Sequence, residues 1–186
     1  MSTLVEKSRE LMRKQTRKNG APAWLLTEMA VVKGRELAKR YQVDQELVVA
    51  SLYLAHTVFS KKLHGKIQKK HTGLSAKFVK AYLKRWHVPE QKQKIILNSI
   101  EAHHDGVPTK YGEAEVVKNA ECYKFLTVKG ALILLHDLGR RGLSFEQAAE
   151  VVKYKADQKI GYITLSALKQ ECLRNHRAIF KLMNLK

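Results

Sequence analysis

The sequence predicts an all-α protein, a single helical domain of about eight helices. Three observations carry this expectation. Apolar residues recur at intervals of three and four over most of the chain, while strand-like alternation is almost absent. Helix-start signals stand directly ahead of several apolar runs. With 186 residues, 45% of them apolar, only 3 Pro and 10 Gly, the chain can bury a continuous core, and disordered and collagen-like classes are excluded.

Taken in order, Leu4, Leu11 and Met12 lie on a short basic amphipathic helix that breaks near Asn19-Gly20. Pro22 suits the first turn of a second helix reaching about Arg40, with Trp24, Val31 and Ala38 on one stripe. Asp44 is a good N-cap for a third helix, and Glu46 stands in its first turn. That helix is apolar on most sides as far as Val58, which predicts a central position. Pro89 opens a long helix reaching His103 or His104, and residues 105–112 form a loop. Helices follow at about 113–127 and 129–140. Ser144 with Gln147 makes a capping box for the next helix, and a last one covers roughly 164–183. Ala148, Ala149, Val151 and Val152 are expected to face Leu165, Leu168 and Leu173 across the Gly161 turn. Within one domain, residues 1–19 form a basic N-terminal helix, 20–141 a core with the candidate site, and 142–186 a C-terminal helical pair.

No apolar run approaches the ~20 residues needed to cross a bilayer. The first twenty residues carry scattered charges instead of a signal-peptide core, which reads as a cytoplasmic protein. Cys122 and Cys172 have neither zinc-pair spacing nor the look of a disulfide framework, and are expected as two buried or half-buried thiols. No nucleophile-elbow serine and no phosphate-binding glycine loop is present, which argues against esterases and P-loop enzymes.

The charge balance is uneven. Lys and Arg total 35 against 17 acidic residues, a net charge of +18. Such a surface attracts phosphate-rich partners and speeds their encounter. Between Leu47 and Pro89 there is no Asp or Glu at all. Lys61, Lys62, Lys66, Lys69, Lys70, Lys77, Lys80, Lys84 and Arg85 fall there, interleaved with His64, His71 and His87. Lys77, Lys80 and Lys84 share one helical face, as do Lys66, Lys69 and Lys70; like charges so placed repel, and a facing anion would relieve them. The functional reading is a phosphate-tracking patch for nucleic acid or a nucleotide, bound mostly through its backbone; the plain alternative is a solvated face.

Histidines and carboxylates cluster in three segments. His56 ends the apolar third helix. Glu101-Ala-His103-His104-Asp105 ends the long helix opened by Pro89, and Glu115, Asn119 and Glu121 follow on an apolar-rich helix. Imidazoles and carboxylates from three helices can converge on a divalent metal, although scattered groups of this kind are more often plain surface.

These segments, in this order, resemble those of the HD-domain phosphohydrolases over about residues 20–180. Leu52-Tyr-Leu-Ala-His56-Thr57 resembles the family segment that ends in its His-Asp pair. Ile96 to His104 resembles its helix ending in His, and Glu113 to Glu121 its run leading to the last Asp. The resemblance implies a helical fold and a metal site, but the chain departs from the pattern at the chemistry. Trp24 falls at the first metal-binding His, Thr57 at the Asp of the pair, and Glu121 at the final Asp; His56 is kept. Two lost ligands weaken metal affinity and the acidity of bound water. Trp24 is a packing residue, or else a plug in the pocket a metal would fill.

A residual site would comprise His56, His103 or His104, Asp105 and Glu121, with His71 as a remote contributor, for a divalent metal such as Mn, Fe, Ni, Co or Mg. Lys61 resembles the basic residue that often follows the family's pair and touches phosphate, and with Asp105 it would serve the chemistry. His136-Asp137 reads like a second His-Asp pair, but it precedes Gly139 as a structural helix end. Three functions follow. The first is a remodelled HD-domain protein that binds a phosphorylated ligand or nucleic acid. The second is a metal-dependent phosphohydrolase for nucleotides or phosphate esters. The third is a structural or interaction protein.

Overall fold

A computed structural model describes residues 2–59, 71–104 and 106–184. Among them are nine α-helices and no strand. The chain divides into two compact units, Met1–Ala120 and Glu121–Lys186.

In the first unit, α1 (Leu4–Asn19) opens with a capping box, Thr3 accepting from the Glu6 amide while the Glu6 carboxylate accepts from the Thr3 amide. It closes on Gly20, whose φ of 66° needs the left-handed region that glycine enters without penalty. Pro22 stands just ahead of α2 (Trp24–Tyr41) rather than in its first turn, and Ala23 occupies the N-cap. α3 (Gln45–Leu54) starts at Asp44, whose carboxylate accepts from the amides of Glu46 and Leu47. Every residue of α3 from Leu47 to Leu54 is buried, as its all-round apolarity predicts.

α1 and α2 both pack on α3. The α2–α3 approach depends on Gly34, since a Cβ there would lie 2.3 Å from Leu52 Cδ1. α4 (His71–Arg85) and α5 (Glu90–Ala102) pack on each other, and α5 also packs on α3. Leu11, Leu54, Val79, Leu83, Ile96 and Ile100 form the shared core of this unit. α6 (Gly112–Tyr123) carries the chain to the unit boundary.

In the second unit, α7 (Val128–Gly139) is capped by Thr127, α8 (Phe145–Gly161) by a Ser144–Gln147 capping box, and α9 (Ser166–Met183) packs along α8. Ala148, Ala149 and Val152 are buried on α8, and Leu168 and Cys172 on α9. Cys122 and Cys172 are buried free thiols. Asp137 pairs with Arg141 one turn on, which gives the His136-Asp137 helix end a structural partner. No described helix is long and apolar enough to cross a membrane.

Candidate metal centre

α3 ends at Leu54 and the chain turns over the next four residues. The Thr57 hydroxyl donates to the Leu54 carbonyl at 3.2 Å, closing the helix end. Two further bonds pin the turn: Asn19 of α1 donates to the Thr57 carbonyl at 3.4 Å, and the Val58 amide donates to the Ser75 hydroxyl of α4 at 3.4 Å. Ser75 lies one helical turn beyond His71, so the second bond sets the start of α4 beside His56. The two imidazoles stack with centroids 5.2 Å apart.

The third imidazole comes from the C-terminal end of α5. His103 is fully buried, and its ring centroid lies 4.8 Å from that of His56 and 5.4 Å from that of His71. Its Nδ1 lies 2.6 Å from the Ile100 carbonyl oxygen. A carbonyl only accepts, so Nδ1 carries the proton in the neutral ring and Nε2 keeps its lone pair. That Nε2 faces the Nε2 of His71 at 3.4 Å. The gap is long for a direct N–H···N bond. It matches the edge between two nitrogens held ~2.05 Å from a tetrahedral ion, roughly 3.3–3.4 Å.

One donor atom from each of His56, His71 and His103 lies within 4.8 Å of the others. Among the described residues this is the group of metal-capable side chains that the fold gathers. Phe59 sets its ring edge against both His56 and His71, at 5.8 and 5.3 Å. His104 adds a fourth imidazole, 4.9 Å from His71 and 4.5 Å from His103 between centroids. Such neutral nitrogen donors suit zinc, iron, nickel or copper better than magnesium.

The other expected site residues that are described have contacts of their own. Thr57 is buried and serves the end of α3. Trp24 stacks on Tyr53 at 5.9 Å, with the Arg13 guanidinium 5.1 Å from its ring, so the aromatic against the histidines is Phe59. Glu121 is buried and accepts from Lys124 Nζ at 2.6 Å in the second unit. Lys61, Lys62, Lys66, Lys69, Lys70 and Asp105 lie outside the described residues.

His71 is the residue that reasoning from sequence undervalued. The available signal was its stripe: His71, Ser75, Val79 and Tyr82 recur at four, four and three, placing the histidine on the packed face of α4. Comparison with protein-family models, curated proteins and solved structures gives no match.

Proposed function

We propose that His56, His71 and His103 hold one divalent transition-metal ion, and that the protein uses it to bind and hydrolyse a phosphorylated ligand. The observation that carries this is the 3.4 Å gap between Nε2 of His71 and Nε2 of His103, with the His103 ring already fixed by the Ile100 carbonyl. A carbonyl behind a histidine is the usual device for setting a ligating tautomer. Three neutral donors leave the ion's charge uncompensated, so it can polarise a phosphoryl oxygen and acidify the water it holds. The phosphate half of the reading draws on the +18 net charge and on the likeness of the His56 and His103 segments to HD-domain phosphohydrolases.

A second reading keeps the metal and the phosphorylated ligand but not the turnover. Thr57, standing where the family has a carboxylate, favours it. Metal analysis and a phosphatase assay test both. The purified chain should carry about one transition-metal ion, lost to a chelator and regained on adding zinc, cobalt, nickel or manganese. Metal-dependent release of phosphate from p-nitrophenyl phosphate or a nucleotide supports the hydrolase. Retention of phosphate without release supports the binding protein. A chain that takes up none of these metals overturns both.

A further inference from the structure

A second feature of the first unit lies on the solvent side of the same helix pair. α4 and α5 are joined by only four residues, 86–89, so they run antiparallel. Between them and the segment after α5 lies an open groove of about 530 Å³. Lys77 and Lys80 line one wall, Lys94 the other, and Lys110 and Tyr111 close one side.

The groove is built rather than incidental. The Asn98 side chain donates to the Pro108 carbonyl at 3.1 Å and accepts from the Lys110 amide at 2.9 Å. Thr109 donates to the Glu115 carboxylate at 2.6 Å. These bonds hold Lys110 and Tyr111 against α5. Among the described residues, four lysines thus line this space with a single carboxylate, Glu101. Lys94 also meets Glu90 at 3.0 Å, an exposed pair that binds weakly and leaves room for a competing anion.

α4 itself contains no acidic residue. Its lysine row continues past the groove to Lys84, also exposed. From Lys77 to Lys84 the row spans roughly 10 Å of helix. Like charges at this spacing cost stability unless an anion faces them. A row longer than one phosphate, in an open channel beside a half-buried phenol, is the layout that tracks a nucleic-acid backbone and offers one ring for base stacking.

We propose that the α4–α5 groove binds single-stranded nucleic acid, its phosphates along Lys77, Lys80, Lys94 and Lys110 and a base against Tyr111. The site is separate from the histidine cluster and does not depend on the metal. His71 projects from the packed side of α4, whereas Lys77 and Lys80 project from the opposite side.

The test is fluorescence anisotropy of labelled dodecauridine and dodecathymidine on the full chain, across a salt series. The variant Lys77→Glu/Lys80→Glu/Lys110→Glu is compared with Lys129→Glu/Arg177→Glu/Lys181→Glu, an equal charge change in the second unit. All six positions are exposed, and circular dichroism checks that both variants fold. The groove variant should weaken binding at least tenfold and lower the slope of log K against log salt by about two, ~0.7 for each lost phosphate contact. The control variant should change affinity less than threefold. Tyr111→Ala should cost roughly fivefold or more. Equal losses in the two charge variants would overturn the proposal, as would tighter binding of duplex than of single strand. A nucleoside triphosphate competing as well as the oligomer would overturn it in favour of a nucleotide pocket. Metal content unchanged in the groove variant keeps this result distinct from the fate of the histidine site.

Discussion

At the scale of single residues, the capacity of the histidine cluster to hold a metal depends on which nitrogen of each ring is presented. The Ile100 carbonyl settles this for His103, and the stack with His56 holds the ring of His71. A metal bound there stabilises the folded chain by about 2.7 kcal/mol at a hundred times its Kd. For a protein of this length that is a melting-temperature rise of roughly 5–10 °C. Differential scanning fluorimetry with zinc or cobalt should show the rise in the native chain. It should be absent from His71→Gln and His103→Gln, two substitutions that keep a polar side chain in place. An undiminished rise in both variants would place the metal elsewhere. His56 and His103 were legible in the sequence because each follows an apolar helical run. His71 was not, because it begins its helix straight after a lysine-rich stretch. Its stripe with Ser75 and Val79 marks only the packed face of α4; the tertiary bond from Val58 to Ser75 is what sets it beside His56.

At the scale of elements, caps and close approaches carry the fold and set the site. Asp44 accepts from two amides that would otherwise lack a helical partner. Asp44→Ala should therefore cost about 1 kcal/mol in urea unfolding. Gly34 lets α2 reach α3, and Gly34→Ala drives a methyl into Leu52, which is fully buried and has little room to move. A loss of about 1–3 kcal/mol is expected. If Gly34→Ala left stability unchanged, the two helices would have to pack less closely than described. The cap residues Asp44 and Ser144 could be read from sequence because a cap is a local event, settled within four residues. Pro22 misled for a related reason. Proline favours the first helical turn but suits the residues before a helix as well, and here the helix waits for Trp24. The α4–α5 groove was half legible. Lys77, Lys80 and Lys84 lie on one helix and show their common face, whereas Lys94 and Lys110 join them only through the helix pairing and the Asn98 bonds.

At the scale of the whole molecule, the excess of positive charge reaches into the interior. In the second unit Lys124 and Lys159 are both 1% exposed. Their ammonium groups lie 5.2 and 6.0 Å from the ring of Phe125, and Lys159 also stands 5.2 Å from the ring of Tyr162. Burial lowers the Lys159 ammonium from its ordinary value of 10.5 to about 8, with Lys155 and Lys124 pushing the same way and Cys122 and Glu121 opposing. Burial and the Lys124 charge lower Lys155 too. The sign follows from proton counts. Below about pH 8 the lysine is charged in both folded and unfolded chains, and the cost of burying the charge is present in full. As pH rises through that value the folded chain releases the proton, while the unfolded chain holds it until about 10.5. The unfolded state then binds more protons, so stability rises with pH across this window, by roughly 3 kcal/mol from Lys159 alone. Unfolding the protein in urea at pH 7, 8, 9 and 10 should show the gain. Lys159→Met keeps the apolar stem and removes the larger titrating contribution, so its profile over the same range should rise clearly less, by what Lys155 still contributes. A native profile that falls between pH 8 and 10, or a Lys159→Met profile that rises as steeply as the native one, would show that the buried charge is not what sets the alkaline stability of the second unit.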